Sequence, residues 1–532
     1  METIYVPHPG AAPESAAAGN AHAPPARQPC ASRRAAGIAL AGAGAAGALA
    51  EGALRDGPPG LGLTVATLAL LLTLALATRA RDGGTRHAAA YAVPALFALL
   101  LSWRASDPLQ VLNIGATLLS LGLLAYALAP ARRWPLRAAR PLTIVWAARR
   151  SVMHAAVGAP ALAAAGYPDR GRAQRAVGAA VRALLIAAPV VALFGALLAG
   201  ADDVFARWLA RVVDVGVEDF FWHSVVAGVL AWGAAGYLRG ALLPSPTAAA
   251  TIPRAMPRLS TTDVVVMLGT LDLLFLAFAA VQFRHLFAGA AVVADTPGLT
   301  YSDYARRGFF ELVWVTVLAL PLLVATHEAV PRAGRTRSAF RWLATPMLAL
   351  LLVVVLSALR RMQLYQAEFG LTVQRVYATA LMLWVAALLA LFAATVLRGR
   401  ARGFAWRALL SGAVALVALN AVNPEALIVR TNVRRGTEAH RVDVAYLVRL
   451  SPDAAPALRA ALPRLSAHEQ CLVRAELGRE LRPPRSVNEH GWQSWSVTRA
   501  RARAVARSLG GPAAPAVCAR PPQETTRPAV RR

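Results

Sequence analysis

The amino-acid sequence predicts an all-α, polytopic helical integral membrane protein with about eleven transmembrane helices and a small helical C-terminal segment. Three observations predict it. The chain of 532 residues is 57% hydrophobic. Only 16% of its residues are charged, against about 25% in an ordinary soluble domain. Its apolar residues lie in stretches of roughly 20, the helix length that crosses a hydrocarbon core. This composition excludes a standard soluble enzyme and an intrinsically disordered chain.

The N-terminal part divides into a tail, four spans and a basic loop. Residues 1–34 are rich in Ala, Pro and Arg without periodicity and are expected to be disordered. Residues 35–130 hold four spans, and residues 131–176 form a cytoplasmic loop with nine arginines. The first span is the weakest because it is rich in Gly and Ala and contains Glu51, but small residues let another helix approach closely. The four spans are 35–54, 61–78, 88–103 and 109–129, and the small residues of the first are Gly37, Ala43, Gly44 and Gly47.

Residues 177–422 form a second membrane part with seven spans. Residues 201–222 carry apolar side chains at helical spacing, which predicts either a short helix on the outer membrane face or an ordinary capped loop. Residues 423–509 are more charged and predict short amphipathic helices, whereas the Pro-rich residues 510–532 are expected to be disordered. The seven spans are 177–200, 223–243, 264–283, 308–326, 342–359, 375–397 and 407–422.

Arginine counts in the loops predict the orientation of the chain. With eleven spans, the loops on one side carry 26 arginines and those on the other side 10. The arginine-rich side of a membrane protein is usually cytoplasmic, so we expect a cytoplasmic N-terminus and an extracytoplasmic C-terminus in a bacterial inner membrane. The basic loop 131–176 is then either a simple orientation signal or a surface-lying basic helix.

The net charge of +28 also bears on partners. Because many arginines lie in short loops beside apolar runs, they favour contact with anionic headgroups of the lipid bilayer rather than with nucleic acid. The C-terminal segment is the expected surface for any protein partner.

Missing residue types and motifs exclude several kinds of chemistry. The chain contains no lysine, which excludes a Walker A loop, a protein kinase and a pyridoxal phosphate enzyme. It has no CxxC, HExxH or GxSxG motif. We therefore predict no catalytic residue, no metal, no cofactor and no enzymatic activity.

Polar residues inside predicted spans are candidates for function because they are costly in hydrocarbon. Asp272 lies near the middle of its span and predicts either a hydrogen bond between helices or an ion or proton path. Glu311 lies one turn inside its span and suits an interfacial ion pair, and Arg182 can extend to the interface. Asn113 and Asn420 lie near span ends and either bridge helices or reach interfacial water.

Two further sets of residues are candidates outside the spans. Tyr304, Arg306 and Arg307 precede Glu311 and form either a ligand-binding outer loop or a cap and interface anchor for the next span. Cys471 and Cys518 are expected to form a disulfide if the C-terminal segment lies in an oxidising compartment. The alternative is that Cys471 packs as a small apolar residue and Cys518 stays free.

Several segments resemble a family of predicted bacterial membrane proteins. The sequence is similar to domain-of-unknown-function family 4173 and to its near relative, family 4153. The most specific segments are YSDYARRGFFEL and LYQAEFGLT, and the resemblance implies the membrane fold and location but no activity. The resembling segments are 195–209, 270–287, 301–312, 357–377, 423–435, 442–458 and 492–504.

Three functions from different classes stay open. The favoured one is a non-enzymatic membrane component, such as a sensor, an assembly factor or a scaffold. The alternative is a transporter or channel for a small solute or ion with Asp272 in the path, although no inverted repeat is evident. The third is an intramembrane enzyme that acts on a lipid-linked substrate with Glu311, Arg306 and Arg307.

Overall fold

The computed structural model describes residues 29–55, 57–82, 88–129, 141–166, 217–243, 258–287, 309–436, 442–479 and 491–509, with four isolated positions between 187 and 202. Every regular element in these ranges is helical, as predicted. Eight of the helices are long and apolar enough to cross a membrane, and two further apolar helices are shorter. These ten correspond to ten of the eleven predicted spans. The eleventh, at 177–200, lies almost wholly outside the described residues, as does the helix predicted within 201–222.

The membrane part begins with two helical hairpins and ends with three long helices. The helix α11 passes into a π-helical turn at Ala393–Leu397. The described helices of this part are α1 (Pro29–Arg55), α2 (Leu61–Asp82), α3 (Ala88–Trp103), α4 (Asp107–Leu128), α5 (Pro141–Val157), α6 (Ala159–Gly166), α7 (Val217–Leu242), α8 (Thr261–Phe287), α9 (Phe309–Ala329), α10 (Arg335–Phe369), α11 (Val373–Phe392) and α12 (Phe404–Val422).

Helix α1 begins six residues before the predicted start of the first span at residue 35. Residues 29–34 are helical, and Pro29 is the first residue of the helix. Proline suits this position because the first helical N–H has no partner within the helix. The span is a tightly packed one. A Cβ at Gly42 would lie 2.1 Å from Thr73 Oγ1 in α2, and a Cβ at Gly47 would lie 2.5 Å from the Ala231 nitrogen in α7.

The basic loop 131–176 contains more than an orientation signal. Helices α5 and α6 occupy residues 141–166 and pack on α4, α7 and α1. The hydroxyl of Ser151 donates to the Gly122 carbonyl in α4 at 3.3 Å, and Trp232 Nε1 of α7 donates to the Ala156 carbonyl at 2.8 Å. The loop therefore holds a helix that lies across two spans.

Two apolar cores hold the membrane part together. The first core lies between α1, α2, α4, α6 and α7, with Leu74, Leu162 and Leu238 fully buried. The second core lies between α8, α9, α10, α11 and the start of α12, with Phe340 and Phe392 fully buried. A smaller cluster of α3, α4 and α12 joins them.

Contacts between helix ends show which ends share one side of the membrane. Arg81 at the end of α2 donates to the carbonyls of Ala241 and Leu242 at the end of α7, and to that of Leu128 at the end of α4. Helices α2, α4 and α7 therefore run parallel. We call the side with these ends the arginine-rich face and the opposite side the cleft face.

The C-terminal segment is a small helical unit on the cleft face. Its buried side chains form one core with residues at the start of α11, including Val373 and Val376. The carbonyl of Trp495 accepts from the Leu61 nitrogen at the start of α2. The helices of the segment are α13 (Pro424–Gly436), α14 (Val444–Leu447), α15 (Ala455–Ala461), α16 (Ala467–Arg479) and α17 (Val497–Ser508).

Candidate functional site

A buried carboxylate fixes the C-terminal segment to the short turn between α3 and α4. Asp453 is only 2% exposed, and its Oδ2 accepts from the backbone nitrogens of Ala105 at 3.0 Å and Ser106 at 2.7 Å. Its Oδ1 lies 3.7 Å from Arg104 Nη1. Ser451 caps this stretch by accepting from the Asp453 nitrogen at 3.3 Å, so that the carboxylate is held in place by its own short 3₁₀ turn.

Arg104 is the cation of the same site. Its Nε donates to the Asn420 carbonyl at the end of α12 at 2.7 Å, its Nη2 donates to the same oxygen, and its guanidinium lies over the Trp103 ring at 4.6 Å. Burial lowers the pKa of the Arg104 guanidinium, and the charge of Asp453 opposes that shift. A buried cation is stable only when it is paired and hydrogen-bonded, and both conditions are met here.

Two amides extend this network into the membrane part. Asn113 of α4 and Asn420 of α12 are both fully buried. Asn113 Nδ2 donates to Asn420 Oδ1 at 3.1 Å, and Asn420 Nδ2 donates to Asn113 Oδ1 at 3.0 Å. The reciprocal pair satisfies both side chains and bridges the two helices.

The junction between α12 and α13 depends on the backbone conformation and side chain of one residue. Asn423 has a φ of 55°, the left-handed region that asparagine tolerates better than most residues. Its Nδ2 donates to the Asp453 carbonyl at 2.9 Å, and its Oδ1 accepts from the Ala426 nitrogen at 3.2 Å. The asparagine therefore ends one helix, caps the next and contacts the C-terminal segment.

A cleft of about 780 Å³ opens beside this network, within the size range of small-ligand pockets. Its buried acid is Glu425, which is 3% exposed and accepts from the Ser451 hydroxyl. Burial raises the pKa of Glu425, and the Ser451 hydrogen bond opposes part of the rise. The lining residues are Asp107, Pro108, Met362, Tyr365, Thr372, Val373, Gln374, Arg375, Ala378, Glu425, Tyr446, Arg449, Leu450 and Ser451.

Charged side chains of both signs lie along the cleft. The guanidinium of Arg375 lies over the Tyr365 ring at 4.0 Å and donates to the carbonyls of Phe369 and Gly370. Asp107 and Arg449 are exposed, and among the described residues neither side chain has an ion-pair partner. The buried hydroxyl of Ser106 lies beside the Glu425 carboxyl and, like that of Ser451, opposes part of the rise in the Glu425 pKa.

A family model for a domain of unknown function, DUF4153, matches residues 91–461. The chain belongs to the DUF4153 family. DUF4153 is the near relative of family 4173 that the sequence resembles. No curated protein and no solved structure matches the chain.

The DUF4153 match contains the whole cleft. It begins within α3 and ends with α15, so that Arg104, Asn420, Glu425 and Asp453 all lie inside it. Three of the resembling segments, 357–377, 423–435 and 442–458, contribute lining residues to the cleft. The cleft is therefore part of the DUF4153 domain and not an addition of this chain.

Asp272 does not line the cleft of the DUF4153 domain. Asp272 lies in α8, and both of its carboxylate oxygens are buried without a hydrogen-bond partner in the described residues. Glu311 lies in the first turn of α9, and its side chain is outside the described part.

The other predicted residues of the DUF4153 chain fall mostly outside the described ranges. Arg182, Tyr304, Arg306, Arg307 and Cys518 all do. Cys471 lies in α16 and is disulfide-bonded, so the alternative of a packed free thiol is not what the structure shows. Its pairing with Cys518 stays a prediction.

Sequence reasoning missed three principal residues of the DUF4153 site. Arg104, Glu425 and Asp453 are not among the residues that the sequence marks as candidates. A signal was present for Arg104, because it is the one charged residue between Trp103 and Ser106 in a turn bounded by two apolar spans. For Asp453 the contact is made across 348 residues of sequence, and no local pattern marks it.

Proposed function

We propose that the protein is a non-enzymatic component of a bacterial cytoplasmic membrane that binds a small charged solute in the cleft, as a sensor does. The cleft face is extracytoplasmic in this proposal. The observation that carries it is a formed cleft of about 780 Å³ between the membrane part and the C-terminal segment. A ligand that contacts both parts would change how the segment sits on the bundle.

The side chains of the cleft favour a solute that carries both charges. Arg449 is available for a carboxylate or a phosphate, and Asp107 is available for an amine. Tyr365 and Tyr446 supply aromatic surface, and Glu425 supplies a buried carboxyl. An amino acid or a short peptide combines these features and is the ligand class that we favour.

Thermal unfolding of the purified protein tests this proposal. Amino acids and dipeptides are added one at a time, and a solute at 100 times its Kd stabilises the protein by about 2.7 kcal/mol. We expect stabilisation of the wild type and a weaker effect on Arg449→Gln. The matched control is Arg459→Gln, an exposed arginine of α15 outside the cleft. Equal responses of the two variants, or no response of the wild type to any solute, contradict the proposal.

The second candidate is a transporter, and Asp272 favours it. Its two unpartnered oxygens argue against a structural hydrogen bond to a described residue. If Asp272 lies on an ion path, Asp272→Asn should abolish solute uptake by proteoliposomes, and Asp272→Leu should leave the thermal stability unchanged or raise it. A stability loss in Asp272→Leu with intact uptake in Asp272→Asn would make Asp272 a structural residue.

A further inference from the structure

Both tryptophans of the C-terminal segment are exposed on one short turn. Trp492 begins a 3₁₀ turn, and Trp495 follows that turn directly. Their side chains are 50% and 38% exposed. Large apolar side chains that are exposed together mark a surface for a partner or for lipid. We call residues 491–496 the tryptophan turn.

Close packing fixes the tryptophan turn at the beginning of α2. The Leu61 nitrogen donates to the Trp495 carbonyl at 2.9 Å. A Cβ at Gly60 would lie 2.6 Å from the same carbonyl oxygen, and a Cβ at Gly62 would lie 2.9 Å from the Gln493 Cβ. The two glycines therefore let the backbone of the tryptophan turn lie directly on the end of a span.

The contact with α2 sets the level of the tryptophan turn relative to the bilayer. Leu61 is the first residue of a helix that is long and apolar enough to cross a membrane. Because hydrocarbon ends where such a helix ends, a residue bonded to Leu61 lies at the boundary between acyl chains and headgroups. The indole ring combines an apolar body with an N–H donor, and tryptophan is enriched at this boundary in membrane proteins.

Exposed apolar side chains of two neighbouring helices lie close to the same level. Phe221 and Trp222 at the beginning of α7 are 66% and 63% exposed. The adjacent His223 places them beside the last turns of α1, because its Nδ1 lies 2.5 Å from Glu51 Oε1. Leu54, in the last turn of α1, is 54% exposed. The tryptophan turn therefore extends a lipid-facing border that the spans themselves form.

We propose that the tryptophan turn inserts into the headgroup layer of the leaflet on the cleft face and holds the C-terminal segment against the bilayer. The partner is the lipid surface itself, because the turn is fixed at the level of the border that α1 and α7 expose to lipid. The network around Asp453 joins the segment to the α3–α4 turn, and the tryptophan turn adds a separate attachment beside α2. This role does not depend on a ligand in the cleft.

Photo-crosslinking of the full-length protein tests the lipid contact. The photoreactive amino acid p-benzoylphenylalanine replaces Trp492 or Trp495, and the protein is reconstituted into vesicles of phosphatidylethanolamine and phosphatidylglycerol. We expect a covalent lipid adduct at both positions after illumination, detected by mass spectrometry of the peptides. The matched control is the same replacement at Arg474, an exposed residue of α16. This helix packs on α14 and α17 within the segment, so its adduct yield should be much lower.

Fluorescence quenching measures the depth of the same side chains with conservative variants. The wild type and a double variant, Trp492→Phe with Trp495→Phe, are compared in vesicles whose acyl chains carry bromine at the headgroup end or at the methyl end. We expect the fluorescence that the pair contributes to be lost with bromine at the headgroup end and largely kept with bromine at the methyl end. Equal adduct yields at 474, 492 and 495, or no quenching of the pair, would overturn the attachment. A crosslink to a second copy of the chain in place of lipid would overturn the lipid assignment.

Discussion

At the scale of single residues, Asp453 decides how the C-terminal segment sits on the membrane part. One of its carboxylate oxygens accepts from two backbone nitrogens of the α3–α4 turn, and the other lies beside Arg104. Replacing a buried ion pair with apolar residues is often tolerated, whereas removing one partner leaves a buried charge. The pair therefore specifies the position of the segment more than it adds stability.

We expect Asp453→Ala to lower the free energy of unfolding by about 3 to 5 kcal/mol, because Arg104 would stay buried without its partner. Thermal or denaturant unfolding in detergent measures the change. Asp443→Ala is the matched control, since this exposed acid of the same segment only caps α14 and its loss should cost about 1 kcal/mol. Similar losses in the two variants would show that the buried pair has no special role.

Glu425 should give the stability of the protein a pH dependence. Because burial raises its pKa in the folded protein, the carboxyl stabilises the fold fully below its ordinary value of 4.5 and loses that contribution as the pH rises through the folded value. Glu425→Gln should therefore match the wild type near pH 4 and exceed it at pH 8. Unfolding midpoints of the two proteins across this range measure the difference, and a constant difference would contradict the assignment.

At the scale of elements, the first helix shows how small residues make a contact. Of the small residues noted in the sequence, Gly47 meets the backbone of α7, whereas a Cβ at Gly44 would have no atom within 4 Å. Gly47 is therefore needed for close packing of α1 on α7, whereas Gly44 faces open space.

Gly47→Ala should therefore force α1 and α7 apart and cost about 1 to 3 kcal/mol. Gly44→Ala should be neutral or stabilising by up to about 1 kcal/mol, since alanine favours a helix. The melting temperatures of the two variants compare the effects directly. Two equal values would mean that α1 does not pack on α7 through this face.

The elements that sequence predicted best are those with long apolar runs. A span is recognisable because its whole length must be apolar in hydrocarbon, and ten predicted spans have a described helix. The amides Asn113 and Asn420 were recognisable as candidates because they interrupt such runs. Helix α5 was harder to assign, because its arginines are equally typical of a loop, and its identity depends on contacts with α4 and α7.

At the scale of the whole molecule, the contacts divide the loops between two faces. Residues 57–61, the turn 104–106, the start of α11 and the C-terminal segment contact one another on the cleft face. The end of α9 and the start of α10 meet near Leu259 and Thr261 on the other face. This division agrees with the alternation that the eleven predicted spans require.

Cysteines placed at positions 58 and 443, on a background that lacks the three native cysteines, should react with an impermeant maleimide in intact cells. Cysteines at 332 and 399 should react only after the cells are opened. The reason is the arginine asymmetry between the two faces. Labelling at 332 without labelling at 443 would invert the orientation and make the cleft face cytoplasmic.

Asp453 is synthesised long after the α3–α4 turn that it contacts. At about 5 to 20 residues per second, roughly 20 to 70 s of translation separate the α3–α4 turn from the residue that completes it, 348 positions later. During that interval Arg104 is hydrated or temporarily bound elsewhere, and the N-terminal spans are already inserted. Maturation of the first spans therefore ends only when the last part of the chain has been synthesised and docked. A chain cut short before residue 453 keeps an immature turn however well its helices have inserted.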